Sequence, residues 1–95
     1  MIIRLVKMTF EKGKEKDFLK IFEEVKSKIS SFKGCEQLEL LNDVNAPNVF
    51  FTYSIWDTEQ SLEKYRFSEL FKSTWTRTKV LFAKKAEAWS VKKVV

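Results

Sequence analysis

VFFTYSIW, residues 49–56, carries large apolar side chains on both of its parities. As a strand it presents Phe50, Thr52, Ser54 and Trp56 to one face and Val49, Phe51, Tyr53 and Ile55 to the other. An antiparallel sheet with one face in water alternates apolar with polar, and this segment does not. The opening IIRLVKMTF, residues 2–10, behaves likewise: Ile3 and Leu5 fall on one face, Val6, Met8 and Phe10 on the other. A sheet made of such strands needs a cover on each side.

The rest of the chain supplies one cover. From Lys14 to Phe32, the residues Phe18, Ile21, Phe22, Val25, Ile29 and Phe32 recur at spacings of three and four, the stripe of an amphipathic helix. Gly34 is the natural residue just past its end. EQLELL (36–41) reads as a second strand, and NDVNAPN (42–48), which holds the only proline, as a turn. After Trp56, either Asp57 or Thr58 can cap the next helix, Asp57 with Gln60 resembling a capping box. That helix breaks near Phe67 and restarts with Ser68 as a second cap. Leu70, Phe71, Trp75, Thr78 and Phe82 continue its stripe, and AWSVKKVV (88–95) is a last strand. The order β-α-β-β-α-β predicts an α+β, ferredoxin-like single domain over residues 1–95, with the helices on one face of a four-stranded antiparallel sheet. No sequence remains to cover the second face. A second copy, related by two-fold symmetry, is the economical cover, so a homodimer is expected.

Composition narrows the function classes. The chain has 95 residues, with nine Phe, three Trp and two Tyr to fill a small core. Its single cysteine, Cys35, excludes an internal disulfide and suits a reducing compartment. Neither a signal peptide nor a run of the roughly 20 apolar residues that spans a bilayer is seen. A cytoplasmic protein with no membrane partner is expected. The net charge is +5, but Lys26, Lys28 and Lys33 end the first helix, and Lys79, Lys84 and Lys85 end the second. Cations there complement the helix dipole, so no nucleic-acid partner is expected.

Chemistry-bearing residues are few. Histidine is absent, which leaves Cys35 without an activating base. Asn42, Asp43, Asn45 and Asn48 fit a turn and match no calcium-loop spacing. Glu23 and Glu24 are adjacent and point in different directions on a helix. There is no phosphate loop or zinc spacing. What remains is EKYRFSELFKSTWTRTK, residues 63–79, whose aromatic residues read partly as core and partly as the wall of a small-molecule pocket.

Several stretches carry a resemblance: RLVKMTF (4–10), FEEVKSKISSFKGCEQLELL (22–41), Trp56 closing its strand, and DTEQSLEKYRFSELFKSTW (57–75). Together they are similar to the antibiotic biosynthesis monooxygenase (ABM) family of dimeric α+β barrels. The resemblance spans nearly the whole chain and implies that the sheet dimerises into such a barrel. The haem-degrading branch uses an Asn, a Trp and a His at positions occupied here by Val6, Tyr65 and Trp75, so haem degradation is not implied. The quinol-type branch needs neither metal nor flavin. It implies a cofactor-independent monooxygenase for a small phenolic or quinol-like aromatic. Its pocket would lie between the sheet and the second helix, lined by Tyr65, Phe71 and Trp75 with Trp56 at its edge, and with Arg66 or Arg77 as anion partner. The alternative is a non-catalytic dimeric module that binds a small aromatic molecule.

Overall fold

The computed structural model describes residues 1–95. In chain order they form β1 (Ile2–Phe10), α1 (Glu15–Ser30), β2 (Cys35–Asp43), β3 (Ala46–Trp56), α2 (Glu59–Arg66), α3 (Glu69–Lys79) and β4 (Phe82–Val91). The strands make one antiparallel sheet in the order β2-β3-β1-β4. This is the ferredoxin-like arrangement, with its second helix split. Ser68 makes the split: its hydroxyl accepts from the Phe71 N–H (3.1 Å) and donates to the Tyr65 carbonyl (2.6 Å), so one side chain ends α2 and starts α3.

Several boundaries differ from the sequence reading, each for a local reason. α1 ends at Ser30, because the Ser31 and Phe32 amides bond back to Ser27 and Ile29 and close the last turn early. Phe32 nevertheless points inward, 5.5 Å from the Tyr65 ring. Thr58, not Asp57, is the cap of α2, accepting from the Ser61 N–H. The turn between β2 and β3 contracts to Val44 and Asn45. Pro47 lies inside β3, where the pairing jumps from Asp43↔Ala46 to Asn42↔Phe50 and a missing N–H does no harm. Phe82 belongs to β4 and not to the helix: the Leu81 amide bonds to Thr78, the Glu11 amide bonds to Leu81, and Phe82 then pairs with Phe10. β4 stops at Val91, short of the expected Val95.

The register of β1 on β3 sorts the two parities. Arg4 opposes Ser54, Val6 opposes Thr52 and Met8 opposes Phe50, and this set faces the helices. At one end Met8, Phe10, Phe18 and Phe50 form the core. There Phe10 stacks on Phe18 at 4.4 Å and meets Phe50 and Phe82 at 5.8 and 5.4 Å. At the other end Trp56 is fully buried, stacked on Tyr65 at 5.0 Å and edge-on to Phe32 at 6.2 Å. The opposite parity carries Ile3, Leu5, Phe51, Tyr53 and Ile55, continued on β4 by Trp89 and Val91, and none of these is buried. No helix crosses that face.

Gly34 joins the two ends of the helical layer. Its φ is +94°, its carbonyl accepts from the Asp57 N–H at 2.9 Å, and a Cβ built on it would overlap the Ser61 side chain. Gly13 has nearly the same φ, +95°, but open space around it. Gly13→Ala should therefore cost about 1–2 kcal/mol for the left-handed backbone alone. Gly34→Ala should cost at least about 1 kcal/mol more, because the overlap adds an overpacking penalty. Urea midpoints of the two variants measure the difference. Equal losses would mean that Ser61 gives way without cost.

Candidate functional site

The two aromatic ends of the helix-facing sheet do not meet. Between them small side chains oppose each other: Thr52 and Ser54 on β3, Ala86 and Ala88 on β4, and Thr74 and Thr78 on α3. The space they leave, closed on one side by α1 and on the other by α2 and α3, is a cavity of about 340 Å³. That volume is at the lower end of the ~300–1,000 Å³ of small-molecule sites.

The fold brings Tyr65, Phe71, Trp75, Trp56 and Arg66 together around this cavity. Their rings form two stacked pairs, Trp56 on Tyr65 and Phe71 on Trp75 (5.6 Å, 12° between planes). The pairs meet edge to face where Tyr65 abuts Phe71 at 5.3 Å and 81°. Arg77 is the one expected site residue that the fold leaves outside. It lies on the outer side of α3, where its guanidinium donates to the Glu24 carboxylate of α1 at 2.8 Å. That ion pair holds the Glu24 carboxyl below its usual range. Trp56 has a double role, for its indole N–H donates to the Ser54 hydroxyl at 3.0 Å and so satisfies both buried groups.

Five polar lining residues were not expected at the site: Arg4, Thr52, Ser54, Thr74 and Thr78, the last read only as part of the helical stripe. A signal for three of them exists in the sequence. Thr52 and Ser54 are short polar residues on one parity of an apolar strand, and Arg4 has that same parity on β1. Thr74 left no such sign, because Ser73, Thr76 and Thr78 surround it in the chain. Geometry separates them. The hydroxyls of Ser73, Thr76 and Thr78 donate to the carbonyls of Leu70, Lys72 and Thr74, whereas Thr74 Oγ1 is buried with no partner in the chain. A buried hydroxyl left unpaired costs about 1–3 kcal/mol.

The electrostatics of the lining are simple. Arg4 has its pKa lowered, first by burial and then by the neighbouring Arg66, with Glu63 acting in the opposite sense. Arg66 bonds Glu63 at 2.8 Å. The Tyr65 phenol is pushed well above the usual range, first by burial among the rings and then by the nearby Cys35. It is therefore a neutral donor. Burial likewise raises Cys35, whose thiol donates to the Gln37 carbonyl. No three His, Cys, Asp or Glu side chains converge in the chain. The lining holds no carboxylate, thiol or imidazole.

The profile of the family described as "Antibiotic biosynthesis monooxygenase" matches residues 1–77. No curated protein matches the chain in sequence. Solved structures do match in shape. A crystal structure of an antibiotic biosynthesis monooxygenase superposes with a TM-score of 0.93 at 15% identity, covering 100% of each chain. A conserved protein from Methanosarcina mazei Go1 does so with a TM-score of 0.92 at 20% identity, covering 99% of this chain and 94% of that one. At such identities the likeness is one of fold.

The raised Tyr65 pKa has a pH consequence with a definite sign. Below about pH 10, the ordinary phenol value, folded and unfolded states both hold the proton and nothing changes. Above it the unfolded chain ionises first, so Tyr65 lowers stability as pH rises towards its folded pKa. The stability advantage of the natural protein over Tyr65→Phe should therefore shrink above about pH 10. Denaturation midpoints of both proteins across that range provide the check, and a constant difference would show Tyr65 to be open to water.

Proposed function

The chain belongs to the antibiotic biosynthesis monooxygenase family, and from that premise we propose that its cavity holds a small phenolic or quinol-like aromatic for cofactor-independent monooxygenation. The observation that carries this reading is the wall itself. Two stacked ring pairs at near right angles bound a cavity of ligand size, and a buried hydroxyl, that of Thr74, lacks a partner. Flat aromatics suit such walls, and a ligand oxygen would satisfy Thr74.

The chemistry asks little of the protein. A phenol in its ionised form gives electrons to dioxygen. One oxygen atom becomes a ring carbonyl, the other leaves as water with the single hydrogen of that carbon and the phenol's own proton, and the substrate supplies all four electrons. Holding the ring still and keeping water out are contributions the aromatic wall can make. Tyr65, as a neutral donor, and Arg66 are placed to stabilise the developing oxyanion. The lining has no carboxylate or imidazole to act as base, so ionisation of the substrate sets the pace.

The protein acts as a homodimer, its outward sheet face covered by that of a second copy. The support is the apolar row Ile3, Leu5, Phe51, Tyr53 and Ile55, too large to be left in water on so small a chain. The single unpaired Cys35 suits a reducing cytoplasm, and no helix is long and apolar enough to cross a membrane.

Oxygen-electrode assays with a panel of quinols and naphthols should register dioxygen uptake that rises with pH along each substrate's own ionisation. Tyr65→Phe should cut turnover about tenfold while stability changes by less than about 1.5 kcal/mol. Trp75→Ala should weaken binding of flat aromatics. Binding without uptake would leave a non-catalytic binding module.

For the dimer, light scattering should give about twice the chain mass of 11.3 kDa. Leu5→Lys, in register with both Tyr53 and Trp89 on the outward face, should produce aggregation or unfolding, since an unpaired buried charge costs several kcal/mol. A stable monomer of the natural protein at micromolar concentration would overturn the dimer.

A further inference from the structure

The cavity is apolar for most of its wall, yet an arginine with no ion-pair partner lines it. The ion pairs of the chain engage Lys14, Lys26, Arg66 and Arg77, and Arg4 is not among them. One of its terminal nitrogens donates to the Ser90 hydroxyl at 3.0 Å. That neutral contact on β4 leaves Arg4 without a bonded counter-charge, Glu63 acting on it only from a distance. Charged side chains are seldom taken out of water unpaired. Arg4 is only partly exposed and faces the helices, in register with Ser54 and Ser90.

Resting on the reading of the cavity as an aromatic-binding site, we infer that Arg4 is a specificity-determining residue and that the ligand is a planar aromatic carrying a carboxylate, which the Arg4 guanidinium receives. Three observations fix the class. First, Arg4 shares the cavity lining with Trp56, Tyr65 and Arg66, so an acid group on a stacked ring reaches it without leaving the wall. Second, its terminal nitrogens form a fork that matches a carboxylate. Third, the charges at this end of the cavity are Arg4, Arg66 and Glu63, a net of +1, and Glu63 is already bonded to Arg66. One surplus positive charge favours a monoanion, and the neighbouring Glu63 opposes a doubly charged phosphate. The fixed acid group and the reacting phenol are separate requirements: the first orients the ring, the second is oxidised.

The test compares a naphthoate with its methyl ester, which keeps the ring and removes the charge. Affinities for the full chain are read by quenching of tryptophan fluorescence, Trp56 and Trp75 both lining the cavity. The natural protein should bind the acid at least about tenfold more tightly than the ester. Arg4→Gln should remove that preference and leave the ester affinity unchanged, which also certifies its fold. Arg4→Lys keeps the charge and loses the fork, and should retain part of the preference. Arg77→Gln removes an equal charge outside the cavity and should retain all of it. Equal affinities for acid and ester in the natural protein, or a preference that survives Arg4→Gln, overturn the inference while the aromatic site stands. If neither compound binds, the reading of the cavity falls and the inference falls with it.

Discussion

The pairing of β1 with β3 is the constraint on which the rest of the molecule depends. Side chains alternate along a strand, so a slip of one residue in β1 would turn Met8 and Phe10 outward while Phe50 and Trp56 of β3 stayed inward. The register is held by what it buries. Phe10 is locked among Phe18, Phe50 and Phe82, and Trp56 by Tyr65, Phe32 and the Ser54 hydroxyl. With those anchors at the two ends, Arg4, Thr52 and Ser54 fall in the middle of the helix-facing surface without choice. The site is a by-product of the register.

A chain of this size gives up stability to keep a hollow there. The side chains that could fill it are small, and the cavity removes packing contacts that a core of leucines would make. The aromatic clusters on each side compensate. Rings in contact run from Phe32 and Trp56 through Tyr65, Phe71 and Trp75 to Phe82 and Phe10, so the wall of the cavity is continuous with the core. Phe71 and Trp75 are therefore core and cavity wall at once, because the same rings do both.

The sequence made the fold legible for a physical reason: parity and helical period are local patterns, and VFFTYSIW and the Phe18–Ile29 stripe show them clearly. Element ends were less legible, because they depend on single backbone bonds such as that from Leu81 to Thr78. The aromatic half of the candidate site could be seen in residues 56–75. Its polar half could not, since Arg4 reads as one more charged residue until the strand's inward side is known. Arg77 was the converse case. The resemblance offered it as an anion partner, but it stands off the helical stripe of Phe71, Trp75 and Thr78 and pairs with Glu24 on α1.

The elbow at Ser68 bears on what holds the aromatic wall in place. It divides one long helix into pieces of 8 and 11 residues, each shorter than the ~12–15 residues at which an isolated helix becomes even marginally stable in water. Neither piece persists unless it is docked. Phe67, at the joint, is 70% exposed and anchors nothing. The segment that carries Tyr65, Phe71 and Trp75 therefore owes its helical form to its ring contacts with Phe32, Trp56 and Phe82. The rings that wall the cavity are thus also the clamps that keep α2 and α3 helical, so wall and scaffold are lost together.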